Sequence, residues 1–224
     1  MKNTFIKTKN VKAFISLANK LKQAPKNLPK MGLVYGDPGL GKTNAILWWA
    51  LKQNAIIITA KNGMSNRWFL AEFVSDLGES PAYHTSVLFE QAVRKLIEKP
   101  RMLIVDEVDY LINESRAIET IRDIHDKTGI PILLVGMGKV DRKLSKYNHL
   151  FDRIVEKYRF VPFDKEDVEE IVKNLSDVEI ESDVIEMIYQ KANRFRQIVK
   201  LLNKIEQIAK TNDCKIITKA DLGW

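Results

Sequence analysis

The stretch that decides the fold is Gly36-Asp37-Pro38-Gly39-Leu40-Gly41-Lys42-Thr43, which matches the phosphate-binding pattern G-x-x-x-x-G-K-[ST] at every fixed position. An apolar segment at 31–35 precedes it as a predicted strand, and residues 44–53 follow it as a predicted helix. Glycines let backbone N–H groups turn toward phosphate oxygens, and the start of the following helix presents its positive end to the same anion. The sequence therefore predicts a site for a nucleoside triphosphate.

Two side chains of this loop have predicted chemical roles. Lys42 is expected to reach the β- and γ-phosphates as a catalytic cation, and the Thr43 hydroxyl is expected to bind Mg²⁺. The residues expected to contact the nucleotide, ATP or ADP, are those of the loop and the next helical position: Gly36, Asp37, Pro38, Gly39, Leu40, Gly41, Lys42, Thr43 and Asn44.

A second segment, Arg101-Met102-Leu103-Ile104-Val105-Asp106-Glu107, predicts the strand that completes the site. Its apolar run is typical of a buried parallel strand, and two carboxylates at the end of such a strand are costly unless they bind something. We expect Asp106 to orient Mg²⁺ and Glu107 to polarise the water that attacks the γ-phosphate; a solvated loop start is the alternative. Asp109 follows in the chain, and a helix-capping or surface role suits it as well as a catalytic one.

The composition of the chain bounds its class. Its 224 residues are 45% hydrophobic, enough for one substantial core or for a core with a small appendage. The sequence has no run of 18 apolar residues and no signal-peptide core, so we expect neither a membrane span nor secretion. The single cysteine, Cys214, cannot form an internal disulfide, and the three scattered histidines lack metal-ligand spacing. These features favour a reducing, cytoplasmic setting.

The net charge of +7, from 36 Lys and Arg against 29 Asp and Glu, bears on the partners of the chain. Basic residues cluster in three places, at 2–30, at 139–146 and at 194–204. Either of the first two clusters would suit a nucleic-acid phosphate backbone. The alternative is a generically basic soluble protein.

Strand and helix signals alternate along residues 1–161 and change character after Pro162. The sequence predicts an α/β domain over 1–161, with a parallel five-stranded sheet flanked by helices. Residues 162–224 are predicted to form a small all-helical domain, with no strand between its helices. We expect this second domain to pack on the first as a lid over the nucleotide.

The order of a P-loop, an Asp-Glu strand, a fourth strand and a helical lid resembles that of the AAA+ ATPases. The resemblance implies that Arg153, just before the fifth strand, is an arginine finger that reaches the nucleotide of a neighbouring subunit. A surface salt bridge is the alternative for this residue. Asn193-Arg194-Phe195-Arg196 resembles the sensor motif of the lid. Arg196 is the favoured candidate for the contact with the γ-phosphate, and Arg194 is the alternative.

Within that family the chain resembles the phage Mu transposition protein B type over essentially its whole length. The resemblance rests on the order and spacing of several segments: 5–12, the P-loop, 103–111, 133–137 and 150–154. It implies a bacterial, phage or mobile-element protein that assembles head to tail on double-stranded DNA. Such a protein presents target DNA to a transposase, or regulates that transposase, in an ATP-dependent way.

The chain departs from this type in two respects. It begins almost at the ATPase, so we expect a separate DNA-reading module to be missing or supplied by another protein. The polar sensor usual at the end of the fourth strand is replaced by Met137, whose thioether cannot usefully hydrogen-bond an attacking water. We therefore expect slow hydrolysis, stimulated by assembly and DNA, or a sensor located elsewhere.

Candidate DNA contacts follow the second and fourth strands, with ordinary surface residues as the alternative. The candidates are Lys61, Asn62, Arg67, Lys139, Arg142 and Lys143. The same nucleotide-site residues would also serve two rival functions. One is a helicase loader or replication initiator, and the other is a nucleotide-gated interaction module with little hydrolysis.

Overall fold

The computed structural model describes residues 1–2, 4–25 and 27–222. Their contacts group them into two compact units. The unit that we call the sheet unit comprises residues 13–36 and 43–159, and the helical unit comprises 1–12, 37–42 and the chain from residue 160 onward.

The sheet unit is built on five parallel strands, as the sequence predicts. The strands are β1 (Met31–Gly36), β2 (Ile56–Thr59), β3 (Leu103–Asp106), β4 (Ile132–Gly136) and β5 (Ile154–Phe160). They lie in the order β2-β3-β4-β1-β5, so β1 has a neighbour on each side. The strands β3 and β4 are buried along their whole length, which explains their continuous apolar sequences.

Helices flank this sheet. They are α1 (Lys9–Gln23), α2 (Lys42–Gln53), α3 (Asn66–Asp76), α4 (Thr85–Glu98), α5 (Ser115–Thr128), α6 (Val140–Leu144) and α7 (Asn148–Phe151). The Ser65 side chain accepts the Trp68 N–H at 3.2 Å and so caps the start of α3. A 3₁₀ turn at Val108–Tyr110, α6 and α7 were not predicted from the sequence, since segments of three to five residues carry no readable helical period.

Both faces of the strands β3 and β4 are buried in the sheet unit. Ile118, Ile121 and Ile124 of α5 are fully buried with the strand residues. On α1 and α2, Phe14 and Trp49 meet edge to face with their ring centroids 6.0 Å apart, a contact worth about 1 kcal/mol beyond the burial of area.

Backbone hydrogen bonds align the beginnings of all five strands along one side of the sheet, which we call the amino edge. The Met31 N–H donates to the Arg153 carbonyl at 3.3 Å, and the Ile132 N–H donates to the Lys30 carbonyl at 3.0 Å. The Leu103 N–H donates to the carbonyl of Pro131, and the series continues from β3 to β2. The opposite side, where β1, β3 and β4 end, is the carboxyl edge. Ligands of open α/β sheets bind outside such carboxyl ends.

The helical unit contains α8 (Lys165–Leu175), α9 (Ser182–Lys191), α10 (Phe195–Thr211) and α11 (Lys219–Leu222). Its core is formed by the apolar faces of these helices together with Ile6. The prediction that no strand lies between the helices was wrong. Two-residue strands β6 (Glu179–Ile180) and β7 (Ile216–Ile217) pair in parallel, and pairs this short leave no alternating pattern in the sequence.

The division predicted between residues 161 and 162 also differs from the two compact units. The Asn10 side chain exchanges hydrogen bonds with the Val161 backbone at 2.8 and 3.1 Å. The Lys9 N–H donates to the Asp167 carboxylate at 2.9 Å. Contacts between residues so far apart in sequence group the first residues of the chain with its C-terminal helices. Among the described residues, no helix is both long and apolar enough to cross a membrane.

Candidate functional site

The P-loop follows β1 directly in the chain. Gly39 and Gly41 have φ values of 83° and 87°, a backbone region that other residues enter only with strain. The Lys42 ammonium donates a hydrogen bond to the Asp37 carbonyl at 2.9 Å, so this side chain turns back across its own loop. Glycine thus occupies two positions of the loop where a residue with a Cβ would be strained.

The predicted metal-binding pair lies within the sheet unit. Asp106 at the end of β3 is only 4% exposed, and its Oδ2 accepts a hydrogen bond from Thr43 Oγ1 at 3.0 Å. Its Oδ1 accepts the Glu107 N–H at 2.8 Å, so both carboxylate oxygens have partners. A hydroxyl beside a carboxylate is an all-oxygen donor set, which fits Mg²⁺ completed by phosphate and water oxygens. The described residues contain no cluster of three His, Cys, Asp or Glu side chains that would hold a metal alone.

Glu107 has a strained backbone. Its φ and ψ of 53° and 37° lie in the left-handed region, at a cost of about 1–2 kcal/mol for a residue with a Cβ. The residue is exposed, whereas its neighbours Asp106 and Val108 are buried. This turn directs the chain so that a buried carboxylate and an exposed carboxylate follow each other at the carboxyl edge. Nothing in the sequence indicated the strain.

The structure places Asp109 against the loop that follows β4. Asp109 Oδ2 accepts the Met137 N–H at 2.6 Å, and Lys143 Nζ lies 3.8 Å from Oδ1. The fit is close, because a Cβ added at Gly136 would lie 2.6 Å from the same carboxylate oxygen. The Met137 residue itself is 44% exposed. Asp109 is thus a link between the turn after β3 and the loop after β4, a role that the sequence left open.

Both candidate lid arginines contact the P-loop within the helical unit. The Arg194 guanidinium pairs with the Asp37 carboxylate at 3.1 Å, and the Arg196 N–H donates to the Gly39 carbonyl at 3.3 Å. A Cβ added at Gly39 would lie 3.7 Å from the Cβ of Arg196 and 3.9 Å from that of Arg194. These contacts bring both residues to the loop, and the choice of Arg196 as the phosphate sensor stays a prediction.

Arg153, the predicted arginine finger, lies at the amino edge. Its guanidinium bonds Asp126 at 2.9 and 3.3 Å and the His149 carbonyl at 3.0 Å. Its own carbonyl accepts the N–H of Met31, the first residue of β1. The length of β1 separates it from the carboxyl edge by roughly 17 Å, at about 3.3 Å per residue.

His125 extends this network into the core. It is 7% exposed, and its Nε2 lies 3.0 Å from the Lys30 N–H, which can only donate. Nδ1 therefore carries the proton and donates to Asp126 at 3.0 Å. Partial burial raises the pKa of Asp126, but the hydrogen bonds from Arg153 and His125 outweigh it, so the pKa lies below its ordinary value.

The candidate DNA contacts occupy two exposed segments of the sheet unit. Lys61 pairs with Glu72 at 2.5 Å, and the Arg67 guanidinium lies 5.3 Å from the ring of Tyr83. Asn62 is exposed between β2 and α3. Lys139, Arg142 and Lys143 are exposed in and before α6. No contact of these side chains identifies a ligand, so their role in DNA binding stays a prediction.

Comparisons with known proteins show which family the sequence matches. Residues 26–144 match the profile of a family described as AAA domain. A curated relative from Staphylococcus aureus, described as a potential ATP-binding protein, is 24% identical over an alignment of length 260, which covers 93% of this chain and 90% of the relative.

Two solved structures from Aeropyrum pernix share the fold. The ORC2 protein in its ADP form has a TM-score of 0.70 at 16% identity, over 99% of this chain and 69% of that one. The ORC1 protein, solved in complex with DNA, has a TM-score of 0.61 at 14% identity, over 95% of this chain and 62% of that one. At these identities the likeness establishes the fold alone.

Proposed function

The chain belongs to the AAA domain family, and from this membership and its site geometry we propose that it is an ATP-dependent, DNA-binding ATPase of the phage Mu transposition protein B type. It assembles head to tail on duplex DNA and presents that DNA to a transposase. The observation that carries the proposal is the position of Arg153, at the amino edge and away from the Thr43–Asp106 pair of its own chain.

The hydrolytic step uses residues of the P-loop and of the end of β3. Lys42 binds the β- and γ-phosphates, and Glu107 orients and polarises the water that attacks the γ-phosphate. Thr43 and Asp106 hold Mg²⁺, which when bound offsets the negative charge of the phosphates. Met137 offers no side-chain hydrogen bond to that water, so turnover is slow.

The finger acts between subunits. An arginine roughly 17 Å from its own nucleotide edge reaches a phosphate only when another copy brings its carboxyl edge to this surface. ATP that binds at such a composite site favours the assembled state, because the ligand binds that state more tightly. Since the two surfaces in contact differ, repeated association forms an open filament or a ring.

DNA binding relies on exposed basic side chains that contact phosphates without reading sequence. Arg142 and Lys139 support this role, since neither has a carboxylate within 4 Å among the described residues. Lys61 is the weaker candidate, because Glu72 already neutralises its charge. The ORC1 protein, part of which shares this fold, was solved in complex with DNA.

Two specific observations favour other functions. The fold shared with the ORC proteins suits a helicase loader or initiator, which would bind a helicase in place of a transposase. The Met137 side chain suits a nucleotide-gated interaction module with little hydrolysis. Affinity capture with the purified chain separates the partners, and phosphate release with DNA present separates the hydrolytic mechanisms.

Electron microscopy of the protein with a sequence-random duplex tests the proposal, at about 0.1 M salt. We expect DNA-coating filaments or rings with a slowly hydrolysed ATP analogue and none with ADP. Lys42→Ala serves as the matched control, because it should not assemble with either nucleotide. Absence of DNA-dependent assembly with the analogue would overturn the proposal.

A further inference from the structure

A cavity of about 600 Å³ lies at the amino edge of the sheet unit. It is lined by the ends of α1 and α5 and by residues just before β1, β3 and β4. Four lining residues are cationic, namely Lys22, Lys30, Arg101 and Lys127, and the other lining residues are neutral. The nucleotide residues Thr43 and Asp106 lie at the opposite edge, so this cavity is separate from the site described above.

None of these four cations has a carboxylate within 4 Å in the part of the chain that the structure describes. Lys22 donates to the Gln53 side chain at 2.7 Å, and Arg101 donates to the carbonyls of Asn54 and Asp76 at 2.9 and 3.3 Å. The Lys127 ammonium lies 5.1 Å from the ring of Phe89. Their close partners are thus neutral groups, and the Asp76 carboxylate acts on Arg101 only from beyond 4 Å, so the positive charge of the cavity is only partly compensated.

Lys30 adds the second feature of a binding site, because the residue is only 9% exposed. Its backbone N–H donates to His125 Nε2, and its carbonyl accepts the Ile132 N–H, so the backbone is held at both groups. A lysine this buried carries its ammonium on an apolar stem and keeps the charged end at the surface that remains open. Lys30 lines the cavity, so an anion in the cavity lies next to this residue.

The four charges also act on one another. Like charges around one volume repel, and the repulsion is stronger at a partly buried site than at an open surface. A ligand with several negative charges relieves that repulsion, because it pairs with more than one of the cations. Arginine binds phosphate through a planar fork, and lysine binds it as a point charge.

We propose that this amino-edge cavity binds a phosphate-bearing anion. Its volume lies within the range of about 300–1,000 Å³ that is usual for small-ligand sites. The phosphates come either from a free polyphosphate or nucleotide, or from a nucleic-acid backbone. Arg153 lies just before β5 at the same edge, so an anion bound here lies on the face that carries the proposed finger.

The test measures binding of inorganic tripolyphosphate by calorimetry without Mg²⁺, at about 0.1 M salt. Every protein carries Lys42→Ala, so that the P-loop contributes equally little to all measurements. The cavity variant adds Lys30→Met and Arg101→Gln, which remove two charges but keep much of the side-chain volume. The control adds Lys200→Met and Arg116→Gln, which remove the same charges from exposed positions outside the cavity.

We expect the cavity variant to lose about tenfold or more in affinity, because it lacks two of the charged groups that pair with the phosphates. The control should stay within about twofold, since distant exposed charges are screened. Absence of tripolyphosphate binding, or equal losses in both variants, would overturn the proposal. If Lys30→Met fails to fold, Lys127→Met with Arg101→Gln provides the same test at a more exposed lysine.

A short duplex DNA, added in competition, identifies the source of the phosphate. A parallel loss of duplex affinity in the cavity variant assigns the site to a nucleic-acid backbone. Unchanged duplex affinity, with tripolyphosphate binding lost, assigns it to a free phosphoanion. Neither result depends on the proposed assembly, because the P-loop is disabled throughout.

Discussion

The charged side chains at the two edges of the sheet differ in the partners that they have. At the carboxyl edge the carboxylates of Asp106 and Asp109 are matched by hydrogen-bond donors, since Asp106 accepts from Thr43 and the Glu107 N–H, and Asp109 accepts from the Met137 N–H. At the amino edge Arg153 is matched by Asp126, whereas the four cations of the cavity have no carboxylate within 4 Å among the described residues. A charged side chain with a fixed partner is held in place for chemistry. A charged side chain without a close partner of opposite sign favours binding of an ion.

The largest effect is expected when Arg153 is removed from the amino edge. Arg153→Ala should leave ATP binding by the monomer near normal, because the residue lies away from its own nucleotide edge. Assembly-stimulated hydrolysis should fall by about 10³-fold or more. Phosphate release with DNA present measures the effect, and Arg122→Ala, which removes another ion-paired arginine, is the control. Loss of ATP binding by the Arg153→Ala monomer would argue against a finger that acts in trans.

Glu107→Gln probes the carboxyl edge. The variant should bind ATP and assemble, but hydrolysis should fall by about 10²–10⁴-fold, because the amide cannot polarise the water as a base. Mixing Glu107→Gln with Arg153→Ala tests whether the two residues act in one site, since each variant supplies the group that the other lacks. Partial recovery of phosphate release indicates sites shared between subunits. A Glu107→Gln protein that turns over and disassembles normally would contradict the assigned role.

Asp109→Ala tests whether the matched carboxylates stabilise the carboxyl edge. The loss of a charged hydrogen bond to the Met137 N–H should lower the free energy of unfolding by about 1 kcal/mol, because water can replace part of the bond. Asp109→Asn should cost less, since its amide oxygen can still accept that N–H. Urea denaturation gives both values. Equal stability of all three proteins would mean that the contact contributes nothing measurable.

The smallest effect concerns pH at the amino edge. The folded state holds the pKa of Asp126 below its ordinary value of 3.8, so Asp126 contributes stability above that value and loses it as pH falls through the folded pKa. The stability gap between wild type and Asp126→Asn should therefore be largest near neutral pH and should close in acid. Denaturation across that range measures the gap. A gap that stays constant with pH would mean that the Asp126 charge is not responsible.

Much of the carboxyl edge could be predicted from sequence. The P-loop pattern and the strand that ends in Asp106 and Glu107 are local, and a fixed spacing or an apolar run reveals them. The five-stranded parallel sheet was predicted for the same reason and is confirmed. The strain at Glu107 and the partner of Asp109 were not predicted, because the neighbours that impose them come from elsewhere in the chain.

The sequence by itself determined the nucleotide loop, the strands and the excess of basic residues, because backbone preference and hydrophobic periodicity act over a few positions. Only the tertiary structure decided which charges have partners. The Arg153 guanidinium pairs with Asp126, and the backbone N–H of Lys30 donates to His125, although both pairs are far apart in sequence. Four basic residues from different segments line one cavity because parallel strands bring their amino ends to a single edge. The proximity of charges separated in sequence is a property of the packed sheet.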